Sequence, residues 1–181
     1  MFTLMPEIPR YLPDFSFPPY TYVPGRYPHP HRHPSGHKMA TIPDLPATAD
    51  LSEWQQNRVY LAGIDLFNHG YYWEAHEQWE ALWHLTDRQS AEADFYRGLI
   101  KLAASGVKIR EGKMRGAQRH AEKARDLFDE IVPKYEVPQV GGLRMHDLTG
   151  FCDRIIYQLT ENKLPSELNS EKVFDWYLTP G

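Results

Sequence analysis

A single cysteine, Cys152, in 181 residues excludes an internal disulfide and any zinc cluster built on paired thiolates. A reducing compartment fits that scarcity. Basic charge is not in excess either: a formal net charge of -4 leaves no polycationic footprint for nucleic acid. No apolar run approaches the roughly 18 residues of a membrane span, and the N-terminus lacks a basic segment followed by an apolar stretch. The expectation is a cytoplasmic protein with neither a nucleic-acid nor a membrane partner. The length suits one domain with a substantial core and about fifty residues left over for an appendage.

What is abundant is unevenly placed. Eleven of the fifteen prolines lie within residues 1–49, interleaved with Phe2, Tyr11, Phe15, Phe17, Tyr20, Tyr22 and Tyr27. Missing donors and fixed φ exclude regular helix or a central strand there, so the segment is extended. Disordered tails are poor in aromatics, whereas this one carries a ring or a proline every few residues, as an arm that buries those rings against a surface does. That surface is its own domain or, as a strap, another subunit. The arm also holds His29, His31, His33 and His37, a His-rich composition that suits hydrogen bonding or metal binding.

From Asp50 the pattern turns helical. Asp50 or Ser52 caps a first helix through Phe67, and Gly70 supplies the left-handed residue that ends the turn after it. The stretch Tyr71 to His84 forms the second helix. A third runs from Ala91 to Arg110, thinned by Ala103, Ala104, Ser105 and Gly106 so that a neighbour can approach closely. A fourth spans Arg115 to Ile131, with Pro133 as its stop. Pro138, Gly141 and Gly142 form a loop before a fifth helix, whose inward residues are Leu148, Phe151, Ile155 and Leu159. Phe174, Trp176 and Tyr177 make the tail apolar enough to dock. No period-two run stands out. The fold class is all-α: a compact bundle of helical hairpins, about five helices, with an extended Pro/aromatic-rich arm at 1–49, a bundle at 50–164 and a docking tail at 165–181. Gly70 and Gly112 begin two similar units, with Ala75 over Ala117 and Glu80 over Glu122, a faint echo of tetratricopeptide hairpins.

The densest chemistry lies in the second helix, where Glu74, His76, Glu77 and Glu80 stand among Trp73, Trp79 and Trp83. At about 100° per residue, Ala75, Trp79, Leu82 and Trp83 form the apolar stripe. His76 falls at its edge, Glu80 meets His76 one turn on, and Glu77 lies about 60° beyond Glu80. Glu74 points well away, as a solvent-facing residue that suits the helix N-terminus. Three readings of the His76–Glu80 pair stay open. One is a structural imidazole–carboxylate pair satisfied by a tyrosine, Arg97, Lys101 or the arm. Another is a divalent metal site on His76 and Glu80 with Glu77 beside them. The string HEQWE has Glu where the zincin HExxH has its second His, so further ligands must come from the arm histidines or Asp94. The third is metal-free acid–base chemistry with His76 exchanging a proton and Glu77 or Glu80 orienting it.

Phe67-Asn68, Gly70, Glu74 to Glu77, Glu80, Trp83, Gly98 to Ile100 and Gly116-Ala117 together resemble the bacterial and archaeal family catalogued as domain of unknown function 309, over residues 60 to 130. The resemblance implies an α-helical bundle and supplies no activity, and the leading reading of the Glu-Ala-His-Glu string itself is a metal-dependent hydrolase-like site. His76, Glu77 and Glu80 are therefore the candidate catalytic residues, His76 and Glu80 the candidate metal ligands, and Zn, Mn or Fe the candidate cofactor. The expected partner is a small molecule or a protein. The competing function is a non-catalytic interaction or assembly protein, a homo-oligomer included, that uses the arm and the hairpins.

Overall fold

Five helices follow one another in a computed structural model that describes residues 8–38, 45–46, 48–163 and 172–181. The boundary between bundle and tail expected at 164–165 lies outside those residues. After a 3-10 turn at Trp54–Gln56, α1 spans Arg58–Asn68, α2 Tyr72–Trp83, α3 Ala91–Arg110, α4 Met114–Tyr135 and α5 Met145–Thr160. Each helix packs on the next, α1 on α2, α2 on α3, α3 on α4 and α4 on α5. No helix among the described residues is long and apolar enough to cross a membrane.

Local chemistry accounts for the ends of α1 and α3. Asn57, rather than Asp50 or Ser52, caps α1: its side chain accepts the Tyr60 N–H at 3.0 Å. Asp50 instead folds back on Ser52, taking its N–H at 2.8 Å and its hydroxyl at 3.0 Å. Ser90 caps α3 by accepting the Ala93 N–H at 3.1 Å. Gly70 and Gly112 turn the chain at positive φ, 87° and 74°, where a side chain would be strained.

Two boundaries depart from expectation. Pro133 sits inside α4 instead of ending it. Beyond Pro133, the Lys134 ammonium and the Tyr135 hydroxyl both donate to Asp94 Oδ2 at 2.9 Å. Those bonds tie the last turn of α4 to α3, and Glu136 then closes the helix in the left-handed region at φ 57°. The Gly141-Gly142 loop is a tight antiparallel hairpin, with Gln139 opposite Arg144 and Val140 opposite Leu143. Both glycines have positive φ, the geometry a two-residue hairpin turn favours.

The core is made where small residues meet rings. A Cβ on Gly106 of α3 would lie 2.6 Å from Tyr72 Cγ, and one on Gly98 would lie 2.3 Å from the Phe128 ring. The thin stretch of α3 therefore seats an aromatic from α2. Ser105 Oγ also donates to the Ala117 carbonyl at 2.9 Å, bonding α3 to α4. At the far end of the chain, Phe174 and Leu178 are buried and Cys152 is buried in α5. Burial pushes the Cys152 thiol well above its ordinary pKa, which makes it a packing residue rather than a nucleophile.

The α1–α2 hairpin holds the described segments on either side of the bundle. Asp65, fully buried in α1, accepts the Arg10 guanidinium at 2.9 Å and the N–H groups of Tyr11 and Leu12 at 2.8 and 2.9 Å. Phe17 stacks on Tyr71 and meets the His69 ring at a tilt, with ring centroids 5.1 and 4.9 Å away. Leu12, Phe15 and Val23 are buried. On the other side, Asn68 exchanges two bonds of 2.8 Å with the Leu178 backbone, and the Tyr72 hydroxyl accepts the N–H groups of Val173 and Phe174 at 3.0 and 3.3 Å.

Candidate functional site

Helix α2 has two polar edges with different roles. Ala75, Trp79 and Leu82 are fully buried, as the helical stripe requires. His76, Glu77 and Glu80 lie on one edge, each partly exposed, and one ligand-capable atom from each falls within a sphere of contact in which all are 4.8 Å or less apart. The expected partnership of His76 with Glu80, with Glu77 beside them, is thus a spatial one.

Within the cluster, His76 Nδ1 is 3.3 Å from Glu77 Oε1, with side chains 26% and 29% exposed. That separation is not a hydrogen bond: the ring nitrogen is itself buried and has no hydrogen-bond partner among the described residues. A carboxylate oxygen and an imidazole nitrogen at this spacing, unaligned for proton sharing, match two ligands of one tetrahedral cation, which stand about 3.3 to 3.5 Å apart when each is about 2.0 to 2.1 Å from the metal. Two carboxylates on one helix edge also concentrate negative charge, which a cation relieves.

Of the further donors considered from sequence, Asp94 is engaged elsewhere, bound by Arg97, Lys134 and Tyr135. The arm comes nearer. His31 Nε2 stands 3.9 Å from Glu77 Oε2, the second oxygen of the carboxylate whose Oε1 is near His76.

Glu74 overturns the expectation of a solvent-facing acid. It is fully buried, and the arm is what covers it. Its carboxylate accepts the Tyr22 N–H at 2.7 Å and the Thr21 hydroxyl at 3.2 Å, and it contacts His37 Nε2 at 3.0 Å. Thr21 Oγ1 in turn accepts from the buried Arg110 at 3.1 Å. An angular reading of α2 alone places Glu74 off the apolar stripe correctly but has no way to see that an irregular segment packs over that edge. The partners of Asp65 are hidden for a related reason, although a lone acid inside the apolar run of α1 is the signal that marks it: such a group is buried only with donors to meet it.

The geometry of α1 to the start of α4 coincides with a recognised sequence unit. Residues 60–120 match the family model described as a domain of unknown function (DUF309). Over these residues the chain is similar to that family. The DUF309 match holds the whole His76, Glu77 and Glu80 cluster together with Asp65, Glu74 and Arg110, and ends a little short of the resemblance traced to residue 130. The arm and the tail fall outside it. No curated protein and no solved structure matches the chain.

Proposed function

We propose that the exposed edge of α2 is a divalent-metal site and that the protein is metal-dependent and hydrolase-like, with His76 and Glu80 as ligands and Glu77 completing the set. The observation that carries this reading is the buried, unbonded His76 Nδ1, 3.3 Å from Glu77 Oε1, in a group whose donor atoms converge within 4.8 Å. One imidazole with two carboxylates suits Zn, Mn or Fe. Partial exposure of all three residues leaves room for water and substrate at the remaining positions. When bound, the cation would act as a Lewis acid on a water or a carbonyl. A Glu77 carboxylate oxygen not bound to the cation would be available to hold or take a proton there.

The test is metal analysis of untagged protein, followed by thermal denaturation with added Zn, Mn or anaerobic Fe(II). Near-stoichiometric metal, a raised Tm, and loss of both in His76→Ala and Glu80→Gln are expected. Absence of bound metal together with an unchanged Tm for every cation rejects the reading.

A further inference from the structure

Resting on that metal site, we infer that the arm contributes His31 to it, so that the cation is held by two imidazoles and carboxylates and fastens the arm to α2.

The four arm histidines are not equivalent. His29 Nδ1 accepts the backbone N–H groups of His31 and Arg32 at 3.2 and 3.3 Å, and His33 Nδ1 accepts that of Ser35 at 3.1 Å. Both rings thereby brace the turn they sit in. His37 is buried against Glu74. His31 points its Nε2 at Glu77 Oε2, 3.9 Å away, and its ring lies 5.8 Å from that of Trp73.

The segment that carries His31 has a defined shape. His33 N–H donates to the His29 carbonyl at 3.1 Å, Gly36 N–H to the His33 carbonyl at 2.9 Å, and Lys38 N–H to the Pro30 carbonyl at 3.2 Å. A Cβ on Gly36 would lie within 2.4 Å of both the Pro30 and His29 carbonyl oxygens, so only glycine permits this knot. Trp73 is the seat it rests on, contacted by Tyr22, His29 and His31 at 5.1, 5.8 and 5.8 Å. A histidine on a fixed turn is a better ligand than one on a free tail, because less freedom is lost on binding.

Glu77 connects the two halves: Oε1 faces His76 and Oε2 faces His31. To join the set His31 must close the 3.9 Å gap to Glu77 and also come within reach of His76 and Glu80, from whose converging donor atoms it now stands apart; its side chain is 46% exposed, which leaves room for that rotation. Two imidazoles shift the preference towards borderline metals such as Zn and away from Mg or Ca, which favour all-oxygen shells.

Zn(II) titration by calorimetry on the full-length untagged chain, in a competing chelator, tests the inference. His31→Ala should weaken Zn binding about 10-fold or more, while His146→Ala, an exposed histidine on α5, should leave it unchanged. Zn should slow amide exchange at residues 29–38 in the native chain and not in His31→Ala. Native-like affinity and exchange in His31→Ala, with His76→Ala abolishing binding, overturns the role of His31 and leaves the α2 site standing. No Zn binding by the native chain rejects both. Mg binding as tight as Zn binding overturns the two-imidazole set.

Discussion

The carboxylate of Glu74 in α2 and the backbone N–H of Tyr22 in the arm are joined at 2.7 Å inside the protein. The arm is therefore part of the core's polar structure as well as its cover, because the Tyr22 N–H and the Thr21 hydroxyl turn inward to meet the buried Glu74 carboxylate.

Glu74→Ala is expected to cost about 3 kcal/mol, since the Tyr22 N–H, the Thr21 hydroxyl and His37 all lose a buried charged acceptor. Chemical denaturation measures the cost, and limited proteolysis should cut within residues 8–38 faster than in the native chain. An unchanged midpoint would remove Glu74 as the anchor.

Asp65 fastens the arm further towards its start. Asp65→Asn gives up the charged bond to Arg10 and at least one backbone donor, an expected loss of about 2 kcal/mol. In a double-mutant cycle with Arg10→Ala the two changes should be non-additive, with coupling of about 1 kcal/mol. Simple additivity would show that the pair does not act together.

Two helical glycines should respond in opposite directions. Gly106→Ala drives a Cβ to 2.6 Å from Tyr72 Cγ, and crowding of about 1 to 3 kcal/mol outweighs the gain in helix propensity of about 1 kcal/mol. Gly150 in α5 has nothing within 4 Å of such a Cβ. Gly150→Ala should therefore raise stability by about 0.5 to 1 kcal/mol. Thermal denaturation of the two variants side by side checks both signs.

Asp94 gives a pH-dependent contribution of known direction. Burial alone would raise its carboxyl, but hydrogen bonds from Lys134 and Tyr135, with the charges of Lys134 and Arg97, outweigh burial and hold it below the ordinary value. A carboxyl depressed in the folded state stabilises above its unfolded pKa of about 3.9 and loses that contribution as pH falls through the folded value. Denaturation midpoints between pH 7 and pH 3 should fall less steeply for Asp94→Asn than for the native chain. Parallel profiles would count against the assignment.

Much of the bundle is legible along the chain because its signals are local. Ser90 marks the start of α3, Gly70 and Gly112 mark the turns on either side, and the thin run through Gly106 announces a close neighbour. Pro133 misleads because the bonds that carry α4 past it come from Asp94, nearly forty positions away. The hairpin at Gly141-Gly142 has strands too short to show alternation. In the candidate site, helical spacing is enough to group His76, Glu77 and Glu80, since all three share one helix. The burial of Glu74, and which of the arm histidines comes near Glu77, are not legible, because both depend on where an irregular segment comes to lie.

The bonds from Asn68 to Leu178 and from Tyr72 to Val173 close loops of 110 and 101 residues, whereas the helices meet in chain order. Contacts between successive helices form with little loop entropy to overcome, and pairings across such spans form late. The α1–α2 hairpin should accordingly assemble early yet stay incomplete, with Asp65, Asn68 and Glu74 still hydrated, until the flanking segments arrive. Amides of the arm and tail would then exchange through partial openings that leave α3 and α4 protected.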